Sequence, residues 1–187
     1  EEENSLPPDN FQEYPNPVVA SRTSPTNIGL ALLSTLGASD LGYLSVGGLL
    51  QRTRRTLSTV GALEKFRGHL YNWYDTRTLR PLAPLYISTV DSGNLAGHLL
   101  TLSSWLKELA DAPLLPPALF SGLLDTARVM SYLSPGNRAA QIMEKLLEVN
   151  RPSGIPDAYV FLKFLSLEAE KFLTLLSKSE KEARVWG

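Results

Sequence analysis

Apolar positions recur with a helical period along most of this chain. Ser24-Pro25 supplies a serine cap followed by a proline in the first turn, and Ile28, Leu30, Leu32, Leu33 and Leu36 carry an apolar helix to about residue 40. Ser45 opens a second helical segment through Leu49, Leu50, Leu57, Val60 and Leu63, with Arg52, Arg54 and Arg55 on what reads as its solvated face. Asp91-Ser92 predicts the cap of a third helix over 95–110, where Leu95, Leu99, Leu102 and Leu106 keep the spacing of one buried face. Pro116-Pro117, Ser134-Pro135 and Pro156-Asp157 then predict helix starts, with ends near 133, 149 and 177. Residues 66–93 have no helical period. There 70–75 and 86–90 read as short strands around the Arg80-Pro81 turn. The expected fold is all-α: antiparallel helical hairpins joined mostly by short turns, with one long irregular or short-stranded loop at about 66–93. No stretch repeats at a fixed period, which argues against a helical solenoid.

Residues 1–20 differ from the rest. Pro7, Pro8, Pro15 and Pro17 stand among acidic and amide residues, so this stretch reads as an extended arm or linker before a helical domain at 21–187. Phe11, Tyr14, Val18 and Val19 are its candidates for pinning it to a surface. The length of 187 residues suits one domain with a sizeable core. A formal net charge of -1 gives no general electrostatic case for a nucleic-acid partner. The absence of cysteine excludes disulfides, thiolate catalysis and cysteine-ligated zinc. The longest apolar run, near 159–167, is broken by Lys163 and falls short of the roughly 20 residues of a membrane span. The start, Glu1-Glu2-Glu3-Asn4, is acidic where a signal peptide is basic, and the chain reads as a piece of a longer protein.

The candidate chemistry sits in 66–98. Sugar recognition needs flat aromatic faces for the apolar side of a pyranose, and amides, carboxylates and guanidinium groups for its hydroxyls. Tyr71, Trp73, Tyr74, Asn72, Asp75, Arg67, Asp91 and Asn94 supply both kinds. Each also has a plainer role available: Asp91 as a helix cap, Gly68 and Gly93 as turn residues, and the three aromatics as packing. His69 and His98 are the only histidines, too few for a metal motif even with Asp75, and neither a metal nor a cofactor is expected. Glycosyl chemistry usually places two carboxyl groups about the scissile bond. Asp75 and Asp91 are the only acids inside the segment, with Glu64 at its edge. Asp111, Asp125, Glu144, Glu148, Glu168 and Glu170 lie in amphipathic helices and read as surface charges. There is no phosphate-binding glycine loop and no nucleophile elbow.

Four blocks occur in order: Arg22-Thr23-Ser24-Pro25-Thr26-Asn27-Ile28-Gly29-Leu30; His69-Leu70-Tyr71-Asn72-Trp73-Tyr74-Asp75-Thr76; Leu79-Arg80-Pro81-Leu82; and Tyr86-Ile87-Ser88-Thr89-Val90-Asp91-Ser92-Gly93-Asn94-Leu95-Ala96-Gly97-His98-Leu99. Together they resemble the cyclic β-1,2-glucan synthases, more narrowly their central glycoamylase-like region, which is related to the β-1,2-glucanases. The resemblance covers about 19–102, and no diagnostic motif follows residue 112. It implies about half of an (α/α)6 toroid. It also implies a role in handling β-1,2-glucan chains that the parent extends from UDP-glucose and cyclises by transglycosylation. By the same resemblance Arg22, Thr26, Asn27, His69, Tyr71, Asn72, Trp73, Tyr74, Ser92 and Asn94 line the cleft, with Asp75 and Asp91 as its acids. A further acidic motif of the family would lie beyond Gly187, so this chain alone is not expected to catalyse. The implied partners are β-1,2-glucan or gluco-oligosaccharide and the remaining domains of the synthase. The implied location is the cytoplasmic side of a bacterial inner membrane. An exposed apolar flank would predict self-association; a polar surface on all sides would favour the alternative, a non-catalytic helical module that binds glucan or docks neighbouring domains.

Overall fold

The computed structural model describes residues 3–186, with side chains through Leu175; Glu1 and Glu2 of the acidic start lie outside the described residues. The described residues are mostly helical, with six helices and a few two-residue strands. It divides into two compact units, Glu1–Asp40 with Leu44–Leu114, and Leu41–Tyr43 with Leu115–Gly187.

The first unit holds α1 (Pro25–Asp40), α2 (Val46–Ala62) and α3 (Thr89–Leu109), with α1 packed against both of the others. The cap signals at its first two helices act as the sequence predicts. Ser24 Oγ accepts from the Asn27 N–H at 3.2 Å, and Ser45 Oγ from the Gly48 N–H at 3.2 Å. The third start differs. Ser88 is the cap and its Oγ accepts from the Asp91 N–H at 3.1 Å, so α3 begins at Thr89 and absorbs the end of the strand expected at 86–90. Serine fits because the cap acceptor must reach an N–H three residues on, where Asp91 sits.

Leu102 is buried, with Leu95, Leu99 and Leu106 packed against the same core of Ile28, Leu32, Leu63, Leu70 and Tyr74. In α2 the buried face is Leu49, Thr53 and Thr56, while Leu50 and Leu57 are exposed. The 3.6-residue period selects 49, 53, 56 and 60, which brings threonines inward and turns those two leucines out.

Six short strands form three pairs. β1 (Phe11–Gln12) pairs with β2 (Val18–Val19), β3 (Arg22–Thr23) with β6 (Tyr74–Asp75), and β4 (Lys65–Phe66) with β5 (His69–Leu70), all antiparallel. The β4–β5 hairpin turns through Arg67 and Gly68, both at positive φ, as a two-residue hairpin requires. The Arg80-Pro81 turn folds back so that Asp75 N–H donates to the Arg80 carbonyl and Leu82 N–H to that of Trp73, both at 2.9 Å.

The N-terminal segment is fastened by residues other than those expected. Phe11, Tyr14, Val18 and Val19 are exposed, because β1 and β2 pair with each other and not with the helices. Leu6 is buried instead, and Glu3 Oε1 accepts from the Ser21 hydroxyl at 2.6 Å while Oε2 accepts from Thr76 Oγ1. Asn4 Nδ2 donates to the Thr76 carbonyl at 2.7 Å.

The second unit holds α4 (Pro117–Leu133), α5 (Arg138–Val149) and α6 (Ile155–Trp186) around Phe120, Leu124, Ala140, Met143, Leu147, Leu165 and Phe172. Helix α5 is capped at Asn137 and starts at Arg138, rather than starting at Ser134-Pro135. Gly136 takes φ +96, Asn137 N–H donates to the Ser134 carbonyl at 3.0 Å, and the Asn137 side chain then accepts from the Ala139 and Ala140 N–H groups. Pro135-Gly136 thus makes the turn, and asparagine makes the cap. Gly42, at φ +81, abuts α4 so closely that a Cβ on Gly122 would lie 2.4 Å from the Gly42 carbonyl. Glu168 is not a surface charge: it is 4% exposed and its Oε1 lies 2.5 Å from Lys171 Nζ.

Candidate functional site

The β3–β6 ladder sets Arg22 opposite Asp75 and Thr23 opposite Tyr74, so the first and second motif blocks meet in space. The α1–α3 contact brings the fourth block to the first. Thr26 Oγ1, in the first turn of α1, donates to Asp91 Oδ1 at 2.7 Å and accepts from Asn94 Nδ2 at 3.1 Å. Asp91 stands in the first turn of α3, where the helix dipole favours a negative charge.

Asn72, 6% exposed, joins these to the aromatic segment. Its neighbours fix the amide orientation. The nitrogen donates to Asp91 Oδ2 at 2.9 Å, and the oxygen accepts from Trp73 Nε1 at 2.8 Å and from the Tyr86 hydroxyl at 2.7 Å. The opposite orientation would set oxygen against carboxylate oxygen and N–H against indole N–H. The Arg22 guanidinium lies over the Trp73 ring, 4.9 Å from its centroid. Asp9 accepts from Arg22 Nη2 at 2.9 Å and from Asn27 Nδ2 at 3.2 Å, holding both donors from the N-terminal segment.

Burial pushes the Asp91 carboxyl up, but hydrogen bonds from Ser88, Thr26 and Ser24 outweigh it, and the group stays below the usual carboxylate value. Asp75 is also held low, chiefly by the Thr78 backbone N–H, against some burial, with the Arg77 N–H adding to the effect. Its Oδ1 accepts from those two amides at 2.8 and 2.9 Å, so Asp75 closes its own turn. Among the described residues no hydrogen bond or ion pair joins Asp75 to Asp91.

The structure therefore gathers Arg22, Thr26, Asn27, Asn72, Trp73, Asp91 and Asn94 into one network. The half-buried Ser92 lies next to Asp91 on α3. Arg67 and His69 sit on the exposed β4–β5 hairpin, where Arg67 covers Phe66 at 5.4 Å. Tyr74 is a correction to the expected cleft face: it is fully buried, and its hydroxyl donates to the Glu64 carbonyl at 2.6 Å and accepts from the Tyr71 N–H at 2.8 Å. Tyr71 stacks edge-on against it at 6.4 Å. Asp9, Tyr86 and Ser88 belong to the network and were not singled out from sequence. Ser88 was findable, since a serine three residues before an acid is a capping-box signal. Among the described residues no group of three or more histidine or acidic side chains is placed to hold a metal ion.

The arrangement thus sets an indole beside a guanidinium, two amides and a carboxylate. No family profile matches the chain. Over 112 residues, 60% of the chain, it is 54% identical to the cyclic beta-(1,2)-glucan synthase NdvB of Rhizobium meliloti (strain 1021). The match spans 4% of that protein's length. The resemblance to the cyclic β-1,2-glucan synthases read from the four blocks thus stands.

Proposed function

We propose that the Asp91–Asn72–Trp73 network binds β-1,2-glucan within a glycoamylase-like domain, about half of an (α/α)6 toroid spanning 21–187. The observation that carries this reading is the tethered indole. Trp73 is fixed through its ring nitrogen by Asn72 and on one face by Arg22, and so offers a pre-ordered stacking surface beside the Asp91, Thr26 and Asn94 polar groups. In a longer synthase this cleft would handle chains undergoing transglycosylation, with the other domains as partners at the cytoplasmic face of the membrane. No helix of the described residues is long and apolar enough to cross a membrane.

A binding role for this chain is favoured over catalysis by Asp75 and Asp91 alone. A general acid in glycosyl transfer needs a raised pKa, and both groups are held low. Asp91 then orients hydroxyls. Exposed Tyr132, Leu133, Tyr159, Val160, Phe164 and Leu167 on α4 and α6 support the apolar flank through which the second unit would meet a neighbouring domain or self-associate.

Calorimetric titration of the chain with a β-1,2-gluco-oligosaccharide, beside a β-1,4 control, tests the reading. The β-1,2 ligand should bind, and Trp73→Ala should weaken it about five- to thirtyfold, as expected for loss of a stacking contact of about 1–2 kcal/mol. No heat from the folded chain, or equal binding of both ligands, would overturn it.

A further inference from the structure

One carboxylate of the N-terminal segment holds two donors of the network at once. Asp9 stands just ahead of the β1–β2 pair, where its N–H donates to the Ala20 carbonyl at 3.1 Å. The Ala20 N–H donates to the Asn10 carbonyl at 2.9 Å, so the backbone at Asp9 is fixed beside the residue that precedes β3 by two. Asp9 Oδ2 accepts from Arg22 Nε at 3.1 Å and from Nη2 at 2.9 Å, while Oδ1 accepts from Asn27 Nδ2 at 3.2 Å. The two oxygens thus link β3 to the first turn of α1. The Asp9 side chain is 18% exposed and that of Arg22 51%. A pair this open to water adds little to fold stability. What it does fix is the direction of a guanidinium.

We propose that Asp9 is a positioning residue of the glucan site, acting through Arg22. Both of its Arg22 bonds fall on one edge of the guanidinium, Nε with Nη2. Asp9 therefore leaves unused the end fork, made by Nη1 and the second Nη2 hydrogen. The Trp73 ring, 4.9 Å from the guanidinium carbon, restrains the same group. A fork held in this way matches two adjacent ring hydroxyls. A β-1,2 linkage leaves the 3-OH and 4-OH of each glucosyl unit free as such a pair. Without Asp9 the long Arg22 side chain must be ordered when the sugar binds, and that ordering lowers affinity. The proposal rests on the glucan reading above.

The test is calorimetric titration of the full chain with a β-1,2-gluco-oligosaccharide, for wild type, Asp9→Ala, Arg22→Ala and the double variant. Asp9→Ala should bind about tenfold more weakly while its melting temperature is kept. In the Arg22→Ala background the same substitution should cost less than about twofold, because its route to the sugar is gone. Asp9→Asn keeps one acceptor oxygen and should recover part of the loss. In the ligand-free wild type the Arg22 Nε–H should give a resolved, slowly exchanging NMR signal, and Asp9→Ala should remove it. Equal losses in both backgrounds, or affinity and melting temperature falling together, would make Asp9 a fastener of the N-terminal segment and overturn the proposal. A wild type that binds no glucan overturns the glucan reading as well. Equal binding by wild type and Asp9→Ala overturns the role of Asp9 alone.

Discussion

Tyr74→Ala should remove about 3–5 kcal/mol of stability from the first unit, a large share of the ~5–15 kcal/mol that holds a typical domain folded. Tyr74 is fully buried among Ile28, Leu32, Leu63, Leu70 and Leu102, so the truncation leaves a cavity at the centre of that core. Its hydroxyl also satisfies two backbone groups, the Tyr71 N–H and the Glu64 carbonyl. Tyr74→Phe keeps the ring and orphans those groups, and should cost about 1–3 kcal/mol. Urea unfolding followed by circular dichroism measures both. An alanine variant with the wild-type midpoint would refute the central role of this ring.

The second large effect is expected at Asp91. Asp91→Ala takes the acceptor from the buried Asn72 nitrogen and from the Thr26 hydroxyl, at about 1–3 kcal/mol for the orphaned amide. Asn72 is then free to turn, Trp73 loses its fixed partner, and glucan affinity should fall more than tenfold. The pH dependence has a defined sign. A carboxyl held below its ordinary value of 3.8 stabilises the fold fully above that value, and the contribution is lost as pH falls through the lower folded-state value. The wild-type melting temperature should therefore drop more steeply below about pH 4 than that of Asp91→Ala. Parallel curves would remove Asp91 from the network's energetics.

How much of this was legible in the sequence depended on the range of the interactions. Ser24 and Ser45 were readable as caps because a cap spans three residues. The start of α5 was misplaced by a local competitor, since Pro135-Gly136 satisfies turn chemistry before Asn137 can cap. Glu168 was misread although the signal was present, for it falls on the stripe Ala158, Phe161, Leu165 and Phe172 at helical spacing. The aromatic and amide members of the network were visible because they cluster within one short stretch without helical period. Which of them would meet was not visible. Asp9 sits in a proline-rich stretch that reads as an arm, and nothing local marks it as the partner of Arg22 and Asn27. Tyr74 looked like Trp73 in sequence, but Tyr74 opens β6 and turns into the core, while Trp73, one residue before the strand, stays half out.

The network draws on Asp9, on Thr26, on Asn72 and on Asp91, four stretches of chain whose Thr26–Asp91 link alone closes 65 residues. During synthesis no such site exists until the start of α3 has emerged, because the carboxylate that orders the others is made last. A glucan chain that binds only the assembled group would act as a folding ligand, shifting the nascent domain toward its native state in proportion to how far its concentration exceeds the dissociation constant. Recognition and maturation of the first unit would then be two readings of one equilibrium.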